Sequence, residues 1–139
     1  MAVVNGNIYS KEAINVLKNV HQIDQMIQVK KEVLADLEQK NKIVSSKQTS
    51  LNITQFSKEI IRDIDIFNEY KIKVMKAIDT MEENEMQIIH KIFFEDKTMD
   101  QIVVEMFCSE RTVYRRERAA LRNIGIIFER EGIVEGRAL

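Results

Sequence analysis

A chain of 139 residues, 45% hydrophobic and 31% charged, can bury one core of ordinary extent and is too short for two full domains. Its formal charge of -1 gives no overall attraction for a polyanion, so any anion-binding surface must come from charge segregated along the chain. A single cysteine, Cys108, excludes an intramolecular disulfide and a multi-cysteine zinc site, and the lack of proline and near-lack of interior glycine leave helices unbroken, so an all-α fold is expected.

The first predicted element is a helix from about Ser10 to Lys42. Ala13, Val16, Val20, Ile23 and Ile27, then Lys30, Leu34 and Leu37, follow a heptad spacing that favours packing against another helix. Lys30 interrupts the seam, while Leu17, Met26 and Val33 widen the apolar face, so a hairpin or small bundle is expected rather than an isolated two-stranded zipper. Residues 43–54 (IVSSKQTSLNIT) are rich in Ser, Thr, Asn and Gln without periodicity and predict a loop. Phe56, Ile60, Ile64, Phe67, Val74, Ile78 and Met81 then return at three- and four-residue steps, giving a second long helix over about 54–79. Two long helices joined by one loop form an antiparallel hairpin, residues 1–79, expected to support homodimerisation or to bind another protein.

A second unit is expected over residues 80–132. Thr80 and Glu83 have the spacing of a capping box, opening a helix through Met86, Ile88, Ile89, Ile92 and Phe93 to about Glu95. Thr98 and Gln101 repeat that spacing, opening a short helix through Ile102, Val103 and Met106. Ser109 caps a third helix that continues to Glu131, where Gly132 ends it, and residues 133–139 read as a tail. A short helix, a tight turn and a longer helix compose a helix-turn-helix, three helices in all with the one before it.

The charge is indeed segregated. All 13 lysines lie at or before Lys97, whereas seven of the eight arginines lie at or after Arg111. Ser109 to Asn123 holds five arginines against Glu110 and Glu117, while Asp79, Glu82, Glu83 and Glu85 form an acidic stretch without a base. On a helix, Arg111, Arg115, Arg118 and Arg122 fall at i, i+4, i+7 and i+11, with Arg116 flanking them. The guanidinium fork matches phosphate oxygens and the O6/N7 edge of guanine, so the stripe points to double-stranded DNA. Because the first turns of such a helix reach deepest into the major groove, Arg111, Thr112, Arg115 and Arg116 are expected at base edges and neighbouring phosphates. Arg118 and Arg122 are expected on backbone phosphate, Ser109 on a phosphate at the helix start, and Tyr114 on phosphate or a thymine methyl. The competing reading is a solvated face in which the arginines pair with Glu110 and Glu117. Val113, Ala120, Leu121 and Ile124 share the opposite side and must face the protein.

Residues 82–124, with their acidic opening, apolar helix, Lys97-Thr98 entry, Ile102, Met106, Ser109 and Thr112-Val113, resemble the region 4 helix-turn-helix of bacterial sigma factors. In organisation the whole chain is similar to small phage and prophage regulators of Gram-positive bacteria, the sigma-like late-gene activator group of the ArpU and RinA types, in which a helical hairpin precedes such a module. The resemblance implies an activator that binds promoter DNA, with RNA polymerase as a further partner, working in the bacterial host cytoplasm. Four residues depart from the pattern, Met106 standing where such motifs usually have leucine and Val103 where many have alanine. Phe107 stands where many such turns have a glycine at positive φ, which predicts a shifted turn or an altered crossing angle, with Phe107 filling the space between the helices. Cys108 replaces a small β-branched residue and is expected to be buried.

Nothing else in the chain organises a reaction. His21 and His90 lack a second ligand at i+4, and Asp63, Asp65 and Glu69 lack a histidine partner or a phosphate-binding loop, so neither an enzyme, a metal nor a cofactor is expected. No apolar run approaches the ~20 residues of a membrane span, and the N-terminus does not resemble a signal peptide, so no membrane partner is expected. Two other functions stay open: a helical interaction factor of the anti-repressor kind, and a minimal sigma-like factor. The latter needs clustered aromatics to capture unstacked bases, and Tyr9, Phe56, Phe67 and Tyr70 form no such cluster.

Overall fold

A computed structural model describes residues 2–134. It is all-helical, with no strand among the described residues. Two long helices, α1 (Ala2–Ile43) and α2 (Lys47–Asp79), form the antiparallel hairpin; α3 (Glu83–Ile89), a π-helical turn (His90–Phe94), α4 (Met99–Met106) and α5 (Glu110–Arg130) follow.

The hairpin connection is far shorter than its composition implies. Only residues 44–46 are non-helical, and the polar stretch after them forms the opening turns of α2. Its side chains find local partners: the Ser46 Oγ accepts from the Thr49 amide at 3.3 Å, Ser50 Oγ donates to Asn41 Oδ1 across the hairpin at 2.8 Å, and Thr54 Oγ1 donates to the Ser50 carbonyl at 2.9 Å. A run without apolar periodicity is thus helical, its side chains capping the first turn, bridging to α1 and back-bonding within the helix.

The core is continuous. Ala13, Val16, Leu17, Val20, Ile23 and Ile27 of α1 are buried in one cluster with Ile60, Ile64, Phe67, Val74 and Ile78 of α2, and that cluster runs on through Ile88, Ile89 and Ile102 to Ala120, Leu121, Ile124 and Phe128 of α5. The heptad seam of α1 is therefore consumed within the chain, and Ile23 and Ile27 are not open to a second copy. Lys30, the interruption in that seam, turns to Asp63 at 3.2 Å and lies 5.8 Å from the Phe67 ring, so its ammonium is neutralised across the hairpin. Lys71 and Asp24 pair at 2.6 Å on the same two helices.

Between Ile27 and Ile60 no residue is buried. Residues 28–59 thus form a projecting two-helix arm, about 24 Å long at the rise of an α-helix. Leu34 and Leu37 are only half-covered there, and Val29, Val33, Ile43, Leu51 and Phe56 are exposed.

Two ends differ from expectation. Thr80 does not open α3: it is the C-cap of α2, its hydroxyl donating to the Ala77 carbonyl at 2.7 Å, and Glu82 caps α3 without a side-chain bond. The threonine hydroxyl closes the finished turn because residue 80 still has helical φ and ψ, which aims Oγ1 back rather than forward. The expected tail at 133–139 begins as part of the fold. Gly132 sits at φ 70, the Ile133 amide reaches the Phe128 carbonyl and the Gly132 amide the Glu129 carbonyl, the paired bonds of a Schellman ending. Ile133 is buried, and the Tyr70 hydroxyl donates to the Val134 carbonyl at 3.1 Å. Residues 135–139 lie outside the described residues.

Candidate nucleic-acid interface

Three caps position the module. Thr98 and Gln101 make both bonds of a capping box at the start of α4, as their spacing predicts. Ser109 caps α5: its Oγ accepts from the Thr112 amide at 3.2 Å and shares a hydrogen bond with Thr112 Oγ1 at 3.0 Å. The Ser109 hydroxyl is thereby engaged at the helix start rather than projecting freely. Between the two helices the chain turns through Phe107 at φ 52 and ψ 44, and the Phe107 and Cys108 amides both point to the Val103 carbonyl.

Phe107 does not shift the turn. The glycine-like geometry is kept with phenylalanine in place, at a backbone cost of about 1 to 2 kcal/mol. Nor does the ring fill the space between the helices, for it is 94% exposed. A left-handed residue directs its Cβ outward from the finished turn, and Ile102 with half-buried Val103 and Met106 already occupies the inner side of α4. Cys108 is half-buried, not buried, and packs on the edge of the core.

The inner side of α5 is as the periodicity predicts: Val113, Ala120, Leu121 and Ile124 are buried, joined by Gly125 and Phe128. On the remaining surface Arg111, Tyr114, Arg115, Arg118 and Arg122 are exposed, and Thr112 and Arg116 half-buried. Among the described residues none of these five arginines has a carboxylate within ion-pair distance, so the paired, solvated arrangement with Glu110 and Glu117 is not formed. Five guanidinium groups on one helix, none of them in an ion pair among the described residues, make a local positive field that the near-zero total charge hides. Glu117 lies half-buried on the flank of this helix; burial pushes its carboxyl above the usual glutamate value, with Arg118 pulling the other way.

Two polar ties that periodicity does not reveal hold the module together. Asn123 of α5 donates to Glu85 of α3. Glu105 of α4 binds Lys97 and, at 3.5 Å, Lys91, and Lys97 also meets Glu95 at 3.3 Å. The Lys97 hydrogen bond raises the ammonium above its ordinary value and holds the Glu105 carboxyl below its own. Neither tie has a sequence signal, since Asn123 and Glu85 lie on different helices and Glu105 of α4 reaches back to Lys97 in the connector and Lys91 before it. The histidines have protein partners too: His21 Nε2 of α1 is 3.2 Å from Asp96 Oδ2 before α4, and His90 tilts against Phe94 with ring centroids 5.3 Å apart.

Helix, left-handed turn, capped arginine-bearing helix and a bracing helix before them compose the geometry that reads a major groove. Residues 77–124 match the family model described as sigma-70, region 4. The module is a sigma-region-4-like helix-turn-helix. That match begins in the last turn of α2 and ends at Ile124, so it covers the helix-turn-helix and leaves the rest of the hairpin outside it. No curated protein and no solved structure matches the chain. No helix among the described residues is long and apolar enough to cross a membrane.

Proposed function

We propose that the protein is a sequence-specific transcriptional activator of phage or prophage origin. Its unit over residues 80–132 binds promoter DNA, and its hairpin, residues 1–79, joins two copies. The observation that carries this reading is the row of five unpaired arginines on the exposed side of α5, directly after a capped helix-turn-helix in a segment matching sigma-70 region 4. The amino-terminal turns of α5 enter the major groove, where Arg111, Thr112, Arg115 and Arg116 meet base edges and adjoining phosphates. Arg118, Arg122, Ser109 and Tyr114 hold the backbone and set the register. RNA polymerase binds beside it, recruited through the module. The projecting arm supports the dimer, because it leaves Val29, Val33 and Phe56 uncovered where a second arm would bury them.

Selection of the purified protein against a random duplex library at near-physiological salt tests the reading. An enriched repeat establishes a dimeric reader with a half-site spacing, and a single asymmetric site establishes a monomeric one. Binding without any enrichment, lost as salt rises, rejects sequence-specific recognition.

A further inference from the structure

Phe107 has no role in folding that its surroundings explain. Its backbone occupies the left-handed region, where glycine or asparagine sits without strain. Its ring is 94% exposed, so no burial offsets that strain. Val104, three residues earlier in the last turns of α4, is 71% exposed. Beside it runs a shallow groove of about 400 Å³ lined by Lys97, Asp100, Gln101, Val104 and Glu105. An apolar pair and a groove thus share the outer side of α4, which the core does not use.

The charge around this pair decides what it fits. Lys91 and Lys97 both bind Glu105, so no lysine here is left for a phosphate. Asp100, one turn before Val104 on α4, is exposed and has no ion pair among the described residues. A nucleic-acid backbone lying along this surface would meet the unpaired Asp100 carboxylate beside apolar side chains, which is unfavourable on both counts. A protein with an apolar socket rimmed by basic side chains would gain from both.

We propose that Phe107 and Val104 form the knob of a protein-docking surface, distinct from the arginine stripe, through which the DNA-bound protein engages a basic-rimmed apolar socket on the transcription complex. The inference rests on the promoter-binding reading above for the identity of the complex, and the test separates the two. Bacterial RNA polymerase holoenzyme is the probe, presented to the full chain both with and without its selected duplex. Phe107→Gly and Val104→Asn should leave duplex affinity within about twofold and lower holoenzyme capture at least tenfold in both settings, and Asp100→Lys should lower it in the same direction. Phe107→Gly relieves backbone strain, so loss of capture cannot be assigned to unfolding if its melting temperature holds or rises. Unchanged capture overturns the inference, as does a wild-type chain that binds duplex and captures no holoenzyme. A parallel loss of duplex affinity makes Phe107 a DNA contact, and a loss of self-association makes a second copy the occupant; either also overturns it. A wild-type chain that selects no duplex but captures holoenzyme through Phe107 keeps the docking surface and removes the DNA reading instead.

Discussion

The Asn123 side-chain amide donates to both carboxylate oxygens of Glu85, at 2.8 and 2.9 Å, tying α5 to the first turn of α3. Asn123 directly follows Arg122, so one member of the acidic stretch that opens the module is used to fix the helix carrying the arginines. Both side chains are accessible to water, which limits the contribution to that of an ordinary net hydrogen bond. Glu85→Ala should therefore cost about 0.5 to 1.5 kcal/mol in a urea titration. A double-mutant cycle with Asn123→Ala should show coupling, and strictly additive losses would mean that the two side chains do not cooperate.

The arginines should divide by position along α5. Arg115→Ala is expected to cost about 1 to 3 kcal/mol of specific binding and to relax base preference, because a residue in the second turn of the reading helix reaches base edges. Arg122→Ala, two turns further on, should weaken specific and random duplexes alike and lower the salt slope by about one. Titrations on both duplexes at several salt concentrations check this. Equal losses on both duplexes for Arg115→Ala would remove it from the base-reading set.

The arm and the core answer differently to a charge. Val33 is 41% exposed on the outer part of α1, so Val33→Asp should change the stability of a single chain by no more than about 0.5 kcal/mol while dissociating a dimer held through the arm. Ile27→Asp buries a carboxylate in the chain's own core and should destabilise the fold itself by several kcal/mol. Sedimentation equilibrium with thermal melts of both variants separates the effects. A wild-type chain that sediments as a monomer across the micromolar range would reject the dimer.

Periodicity made most of this architecture legible. The apolar steps of α5 and, from Ile60 onward, those of α2 are buried as expected, whereas Phe56 is exposed, and the Thr98 and Ser109 caps lie where their spacing places them. Composition misled at residues 47–54, where hydroxyl and amide side chains cap and bridge a helix. The Thr80 motif misled because the same hydroxyl can close a preceding turn as readily as open a new one. The heptad of α1 announced that a partner helix exists but not whose chain supplies it, and α2 and α5 turn out to cover it. Phe107 was legible as an anomaly; its direction was not, because the outward Cβ follows from a backbone conformation that an L-residue seldom adopts. In the candidate interface, the arginine spacing was evident from the chain, whereas the lack of carboxylate partners was not, because it depends on Glu117 being turned to a half-buried position on the flank of α5.

Glu117 supplies a pH test of that last point. Burial on the flank of α5 raises its carboxyl above the ordinary glutamate value, and Arg118 offsets this only in part. A carboxyl whose folded value is raised binds its proton more tightly in the native state. Its favourable contribution is then fully present below the unfolded value and is lost as pH rises through the folded one. At neutral pH the ionised carboxylate is a desolvated charge that glutamine does not carry, so Glu117→Gln should melt above the wild type there. As pH falls through the raised folded value toward the unfolded one, the wild-type carboxyl takes up its proton and the gap between the two melting temperatures should close. The same substitution removes a negative charge between Arg116 and Arg118, so duplex affinity at neutral pH should rise. Melting curves from neutral to acidic pH decide the point. A gap that does not change with pH would show that Glu117 is solvated in the folded chain and that burial does not govern its titration.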